Sequence, residues 1–172
     1  MDILTMMLPS LVVLAVVVLL LNHFMKNENE RREFEHRKQI VKTLLPNKLR
    51  AYERLVVFLE RTAPDSLVLR VQQPSMTAIQ LQAALLQTIR TEYEHNVSQQ
   101  LYVSKEAWQM IINAKENVVK LINTCAMSLE QSGQETSGLL LAQVIIQQYH
   151  AENEQYSQTA LDFMRAEVRR LV

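Results

Sequence analysis

The sequence predicts an all-α protein: one N-terminal transmembrane helix followed by a cytoplasmic up-down bundle of about four helices. Three observations carry this. Residues 11–21, Leu-Val-Val-Leu-Ala-Val-Val-Val-Leu-Leu-Leu, contain no polar side chain, and apolar residues extend the stretch to about 3–25. Glycine occurs twice (Gly133 and Gly138) and proline four times, too few for a fold rich in turns. The rest of the chain repeats apolar residues at steps of three and four, the helical period.

The first stretch reads as an anchor over 1–25. At about 1.5 Å per residue, 3–25 makes a helix of roughly 35 Å, enough for a hydrocarbon core of about 30 Å. A cleaved signal peptide fits less well. No Lys or Arg precedes Lys26, and Asn22-His-Phe-Met-Lys26 has no small-residue cleavage pattern. The cations that follow (Lys26, Arg31, Arg32, Arg37, Lys38, Lys42) orient the span by the positive-inside rule. The expected location is therefore the inner (cytoplasmic) membrane, single-pass, with the N-terminus outside and the C-terminal domain cytoplasmic. The lone Cys125 suits a reducing compartment, where the acceptor pattern Asn96-Val97-Ser98 has no use. No charge and no G-x-x-x-G pair lies in the span, which reads as an anchor rather than a channel.

Residues 26–45 form a charged juxtamembrane helix with Glu28→Arg32 and Glu33→Arg37 in the favourable i,i+4 order. Pro46 should break or kink it, opening a helical bundle domain over 46–172. Leu49, Tyr52, Leu55, Val56 and Leu59 then give a helical stripe to about Arg61, and Pro64 stops it. Leu67–Val71 is short, apolar and β-branched. No second strand exists to pair with it, so an extended or single-turn linker is expected.

Thr77-Ala-Ile-Gln80 has the form of a capping box and starts a helix to about Gln99. Ser104 is the next N-cap candidate, and Trp108, Ile111, Ile112, Val118, Val119, Ile122, Ala126 and Leu129 follow at helical spacing, with Gly133 suited to the end. A last helix starts between Ser132 and Ser137 and runs to the C-terminus. The polar break Ala151-Glu-Asn-Glu-Gln155 interrupts it as a wet gap or a contact surface. Arg165, Arg169 and Arg170 complement the dipole at its end.

All 18 Lys and Arg and 17 of the 18 acidic residues fall after residue 25, a net charge of +1. That balance argues against a nucleic-acid partner, which would require a basic face. No Gly-rich phosphate loop is present, and no cofactor is expected. The sharpest chemical pattern is a pair of Glu-x-x-His units, Glu33-Phe-Glu-His36 and Glu92-Tyr-Glu-His95. Carboxylate-bridged di-metal bundles use two such units plus one Glu from each of two other helices, here Glu53 or Glu60 and Glu116 or Glu130. The charged surround of Glu33 and His36 opposes a buried site. Cys125 sits on an apolar stripe as a small hydrophobe.

Glu92 to Trp108 gathers aromatic, amide and ionisable side chains around a helix-to-helix turn. Asn96, Ser98, Gln99 and Gln100 suit the free backbone groups of two helix ends. His95, Tyr102 and Trp108 are candidate contacts for a protein partner, as are Glu152, Asn153, Glu154 and Gln155 in the polar break. This stretch, with Arg50-Ala-Tyr-Glu-Arg-Leu upstream, resembles an uncharacterised family of bacterial single-pass membrane proteins. The resemblance covers nearly the whole chain. It implies the layout above, with no activity, cofactor or catalytic residue attached.

The expected function is thus a membrane-anchored, non-enzymatic scaffold or adaptor at the cytoplasmic face. Its partners would be the lipid bilayer through residues 3–25 and a protein partner or a second copy. The alternative is a metal-dependent helical-bundle enzyme using the Glu-x-x-His units.

Overall fold

The computed structural model describes the backbone of residues 3–131, 137–151 and 155–171; the side chains of 3–16, 27, 29, 30, 33, 34, 36, 37, 40, 155 and 156 lie outside the description. The described residues are helical almost throughout: α1 (Ile3–Thr62), α2 (Pro64–Val71), α3 (Ala78–Asn96), a short 3₁₀ segment (Val97–Leu101), α4 (Lys105–Gln131), α5 (Gly138–Ala151) and α6 (Gln155–Leu171). The all-α expectation holds.

The transmembrane expectation does not. Among the described residues no helix is long and apolar enough to cross a membrane. The span at 3–25 is corrected on that finding, and with it the single-pass topology and the inner-membrane location. The described apolar run is Val17–Leu21, after which Asn22 and His23 interrupt it and Lys26 closes it. Residues 17–25 rise about 13 Å, less than half of a hydrocarbon core of about 30 Å. The earlier part of the expected span, residues 1–16, lies outside the described side chains.

The chain divides into two compact units, Met1–Leu45 and Pro46–Val172. In the first, Arg32 donates to Glu28 at 3.1 Å and Arg31 pairs with Glu35 at 3.4 Å, both at helical i,i+4 spacing. The expected Glu33–Arg37 pair lies outside the described side chains. Of the break or kink expected at Pro46, the break does not occur, since α1 runs on to Thr62. Lys42, whose carbonyl the proline ring deprives of a donor, is exposed, and water can serve that carbonyl in place of the lost N–H.

The second unit has two core clusters. One joins Leu67 and Val68 of α2, Leu81, Leu85 and Ile89 of α3, the C-terminal half of α4, and Leu141, Ala142 and Ile145 of α5. The other joins Tyr52, Leu55, Phe58 and Leu59 of α1, the N-terminal half of α4, and Ala160, Leu161 and Met164 of α6. Helix α4 serves both. Its buried residues Ala107, Ile111, Ala114, Val118, Ile122, Cys125 and Leu129 recur at steps of three and four and make one continuous stripe.

The local signals explain most boundaries. In the capping box before α3, Gln80 N donates to Thr77 Oγ1 at 3.2 Å and Thr77 N donates to Gln80 Oε1 at 3.0 Å. Ser104 caps α4, accepting from Ala107 N at 3.0 Å. Ser137 caps α5, accepting from Leu140 N at 3.2 Å. The expected last helix is described as α5 and α6, on either side of residues 152–154, which lie outside the described residues. The expected linker at 67–71 is a correction as well, because it belongs to α2. Pro64 occupies its first turn, where no helical N–H is needed, and Asp65 complements the dipole. Burial of Leu67 and Val68 outweighs the modest helix penalty of β-branched residues.

Gly138 marks the closest backbone approach. Thr77 and Ser137 form an isolated antiparallel bridge, and Gly138 N donates to Met76 O at 2.8 Å. A Cβ at position 138 would stand 2.7 Å from that same oxygen, a backbone atom that cannot swing aside. Gly138→Ala is expected to cost about 1–3 kcal/mol as overpacking. The check is the urea midpoint, with Leu139→Ala, at an exposed neighbour, as a control that should move little.

Candidate functional site

The turn between α3 and α4 is held from both ends. Asn96 is buried at the end of α3, and its amide donates to Glu92 O at 2.8 Å, satisfying one of the last helical carbonyls. Tyr102 N donates to Gln99 O at 3.0 Å, closing the 3₁₀ segment. Three of the apolar residues this turn carries are exposed, while Val103 packs on the second core. Leu101 is 78% exposed, and Val97 and Tyr102 about 40%.

Of the three partner-contact candidates in this stretch, Tyr102 and His95 are exposed, whereas Trp108 is half-buried. Its ring lies 5.7 Å from that of Tyr93, which meets Phe58 edge-on at 6.3 Å. Lys115 Nζ sits 4.4 Å from the Tyr93 ring centre, a cation–π contact on the same cluster. Trp108 therefore spends most of its surface on packing against the second core. Glu152, Asn153, Glu154 and Gln155 lie outside the described side chains.

Glu92 is a structural hub. Arg61 of α1 donates to its Oε1 at 2.7 Å and Arg70 of α2 lies 3.8 Å from the same oxygen. Arg70 also donates to Arg61 O at 3.0 Å, near the end of α1. Arg54 donates at 3.0 Å to the carbonyl of His95. Glu92, Arg61, Arg54 and His95 line an open cleft of about 730 Å³ between α1 and α3 whose other walls include Val57, Phe58 and Thr91. The arginines were not legible as a site in sequence, since their partners are 31 and 41 residues away.

For the metal reading, Glu33 and His36 lie outside the described side chains. Among the described residues no three His, Cys, Asp or Glu side chains are placed to hold one ion. Glu92 already neutralises two guanidinium groups, and a cation would have to displace them. Glu53, Glu60, Glu116 and Glu130 are all exposed. Cys125 is buried.

A second polar node joins three helices. Tyr52 donates from Oη to Glu167 Oε2 at 2.7 Å, and Ser104 Oγ donates to the same oxygen at 2.8 Å. Ser104 N donates to Tyr52 Oη at 3.4 Å. Burial, reinforced by the Glu167 carboxylate, raises the Tyr52 phenol from its ordinary value near 10 to about 12.

The Family of unknown function (DUF7935) matches residues 1–171. The chain belongs to that family. No curated protein and no solved structure matches it. Family membership thus carries no activity, and the function must be argued from the surfaces.

Tyr52 gives a pH prediction with a definite sign. A raised folded-state value means that the protonated phenol's contribution is complete below about pH 10 and is lost as pH rises toward 12. Stability of the native chain should fall across that window more steeply than that of Tyr52→Phe, measured by urea unfolding at stepped pH. At neutral pH the same variant should lose about 1–2 kcal/mol, because Ser104 N and Glu167 each lose a partner. Glu92→Gln should cost about 1 kcal/mol by leaving Arg61 and Arg70 without their carboxylate. Thermal unfolding in low and high salt checks this, with the loss shrinking as salt screens the native pair.

Proposed function

We propose that this chain is a non-enzymatic adaptor that binds a protein partner through the corner between α3 and α4. The observation that supports this reading is the exposure of Leu101, with Val97 and Tyr102 beside it, on a turn fixed at both ends by hydrogen bonds. Single exposed apolar residues are ordinary on protein surfaces. Three within six residues, on a segment too short to rearrange freely, are a more demanding feature. A turn held in one conformation loses little entropy on binding, and an aromatic ring beside a leucine supplies the anchor type that interfaces favour.

The near-neutral charge balance of the chain fits a protein partner better than a polyanion. Arg54 holds the carbonyl of His95 at the end of α3, while Glu92, Arg61 and Arg70 are engaged with one another or with backbone.

The experiment is a quantitative pull-down comparing the native chain with Leu101→Asp and with Leu69→Asp. Leu69 is 80% exposed on α2 and serves as the control. The expected result is at least a tenfold loss of a stoichiometric partner for Leu101→Asp and its retention for Leu69→Asp, with circular dichroism unchanged in both. A partner set indifferent to Leu101 would overturn the corner as the contact.

A further inference from the structure

We infer that the groove between α1 and α6 receives an acidic amphipathic helix from a partner protein. The groove, about 400 Å³ in volume, shares no lining residue with the Leu101 corner. From α1 it is lined by Leu49, Tyr52 and Val56, spaced three and four residues apart, and from α6 by Met164 and Val168. Tyr52 and Met164 are buried beneath the groove, whereas Leu49, Val56 and Val168 are half-buried, with one side on the core and the other open.

Its length fits two turns of a helix. Leu49 to Val56 covers about 10 Å of α1, two helical turns. Side chains at i, i+3 and i+7 form the kind of ridge against which a third helix packs its own apolar stripe.

The walls set the charge of the occupant. Arg165 and Arg169 stand one turn apart on the α6 wall, and Glu53 stands on the α1 wall. Glu167, the acidic side chain between them in sequence, is committed to Tyr52 and Ser104. Arg165 meets Asp162 at 3.0 Å, but both side chains are more than half exposed, and an ion pair of that kind is readily exchanged. Two guanidinium groups at this spacing match two carboxylates placed i,i+4 on a bound helix, each able to take a forked pair of hydrogen bonds. The opposite edge of that helix would carry a Lys or Arg toward Glu53. An apolar stripe with an acidic edge is therefore the chemistry this groove selects.

The test is selection of a displayed helical-peptide library against the full chain. The library fixes an apolar i, i+3, i+7 stripe and randomises the positions flanking it. The expected result is enrichment of Asp and Glu at i,i+4 on one edge. The winning peptide, labelled and measured by fluorescence anisotropy, should bind at least tenfold more weakly to the double variant Arg165→Glu/Arg169→Glu. That variant should prefer the same peptide with its acids changed to Lys. Binding to Leu101→Asp should be unchanged, which separates this groove from the corner. Enrichment of basic residues, no charge enrichment at all, or binding indifferent to the double variant would overturn the proposal. A dimer in sedimentation equilibrium that Val56→Asp dissolves would also overturn it, because the groove would then belong to a second copy.

Discussion

The bundle unit depends on covering one stripe. Helix α4 has 27 residues and is about 40 Å long, with an apolar face that runs from Ala107 to Leu129. Neither α5, with 14 residues, nor α6, with 17, is long enough to cover it. The stripe is therefore shared, with α3 and α5 packed on its C-terminal half and α1 and α6 on its N-terminal half. The two core clusters follow from that sharing.

Polar groups then fix how the covering helices sit. Tyr52, Ser104 and Glu167 tie α1, the start of α4 and α6 at a single carboxylate oxygen. Glu92 ties α1, α2 and α3 through Arg61 and Arg70. Hydrophobic burial is roughly proportional to area and indifferent to direction, so the apolar stripe chooses which face of α1 turns inward but fixes its rotation only loosely. Hydrogen bonds with narrow geometry do. Among the described residues no buried side-chain nitrogen or oxygen lacks a hydrogen-bond partner, so these nodes orient the helices without leaving an uncompensated polar atom.

Two of the surfaces left over differ in kind. The α3–α4 corner presents apolar residues outward on a short rigid turn, and the α1–α6 groove presents them as an inset floor between charged walls. Trp108 and Tyr102 differ as well. Trp108 is on the first turn of α4 and rotates into the second core beside Tyr93, while Tyr102 precedes the Ser104 cap and has no helix to turn it inward.

Local chemistry was enough to read much of the chain. Thr77-Ala-Ile-Gln80 capped α3 as its spacing requires, Ser104 capped α4, and the apolar period along 107–129 marked its buried face, because each depends only on residues within about one helical turn. The break at Pro46 and the linker at Leu67–Val71 were misread because local preference is weak. A proline on an exposed helix and a five-residue run with two β-branched side chains are decided by solvent access and by burial against distant helices. The apolar N-terminal stretch implied a membrane span that the described helices do not provide. The Glu92 hub, the Tyr52–Ser104–Glu167 node and the groove walls were beyond reach of the sequence. Their partners lie 22 to 115 residues apart, and only the packing of the helices brings them together.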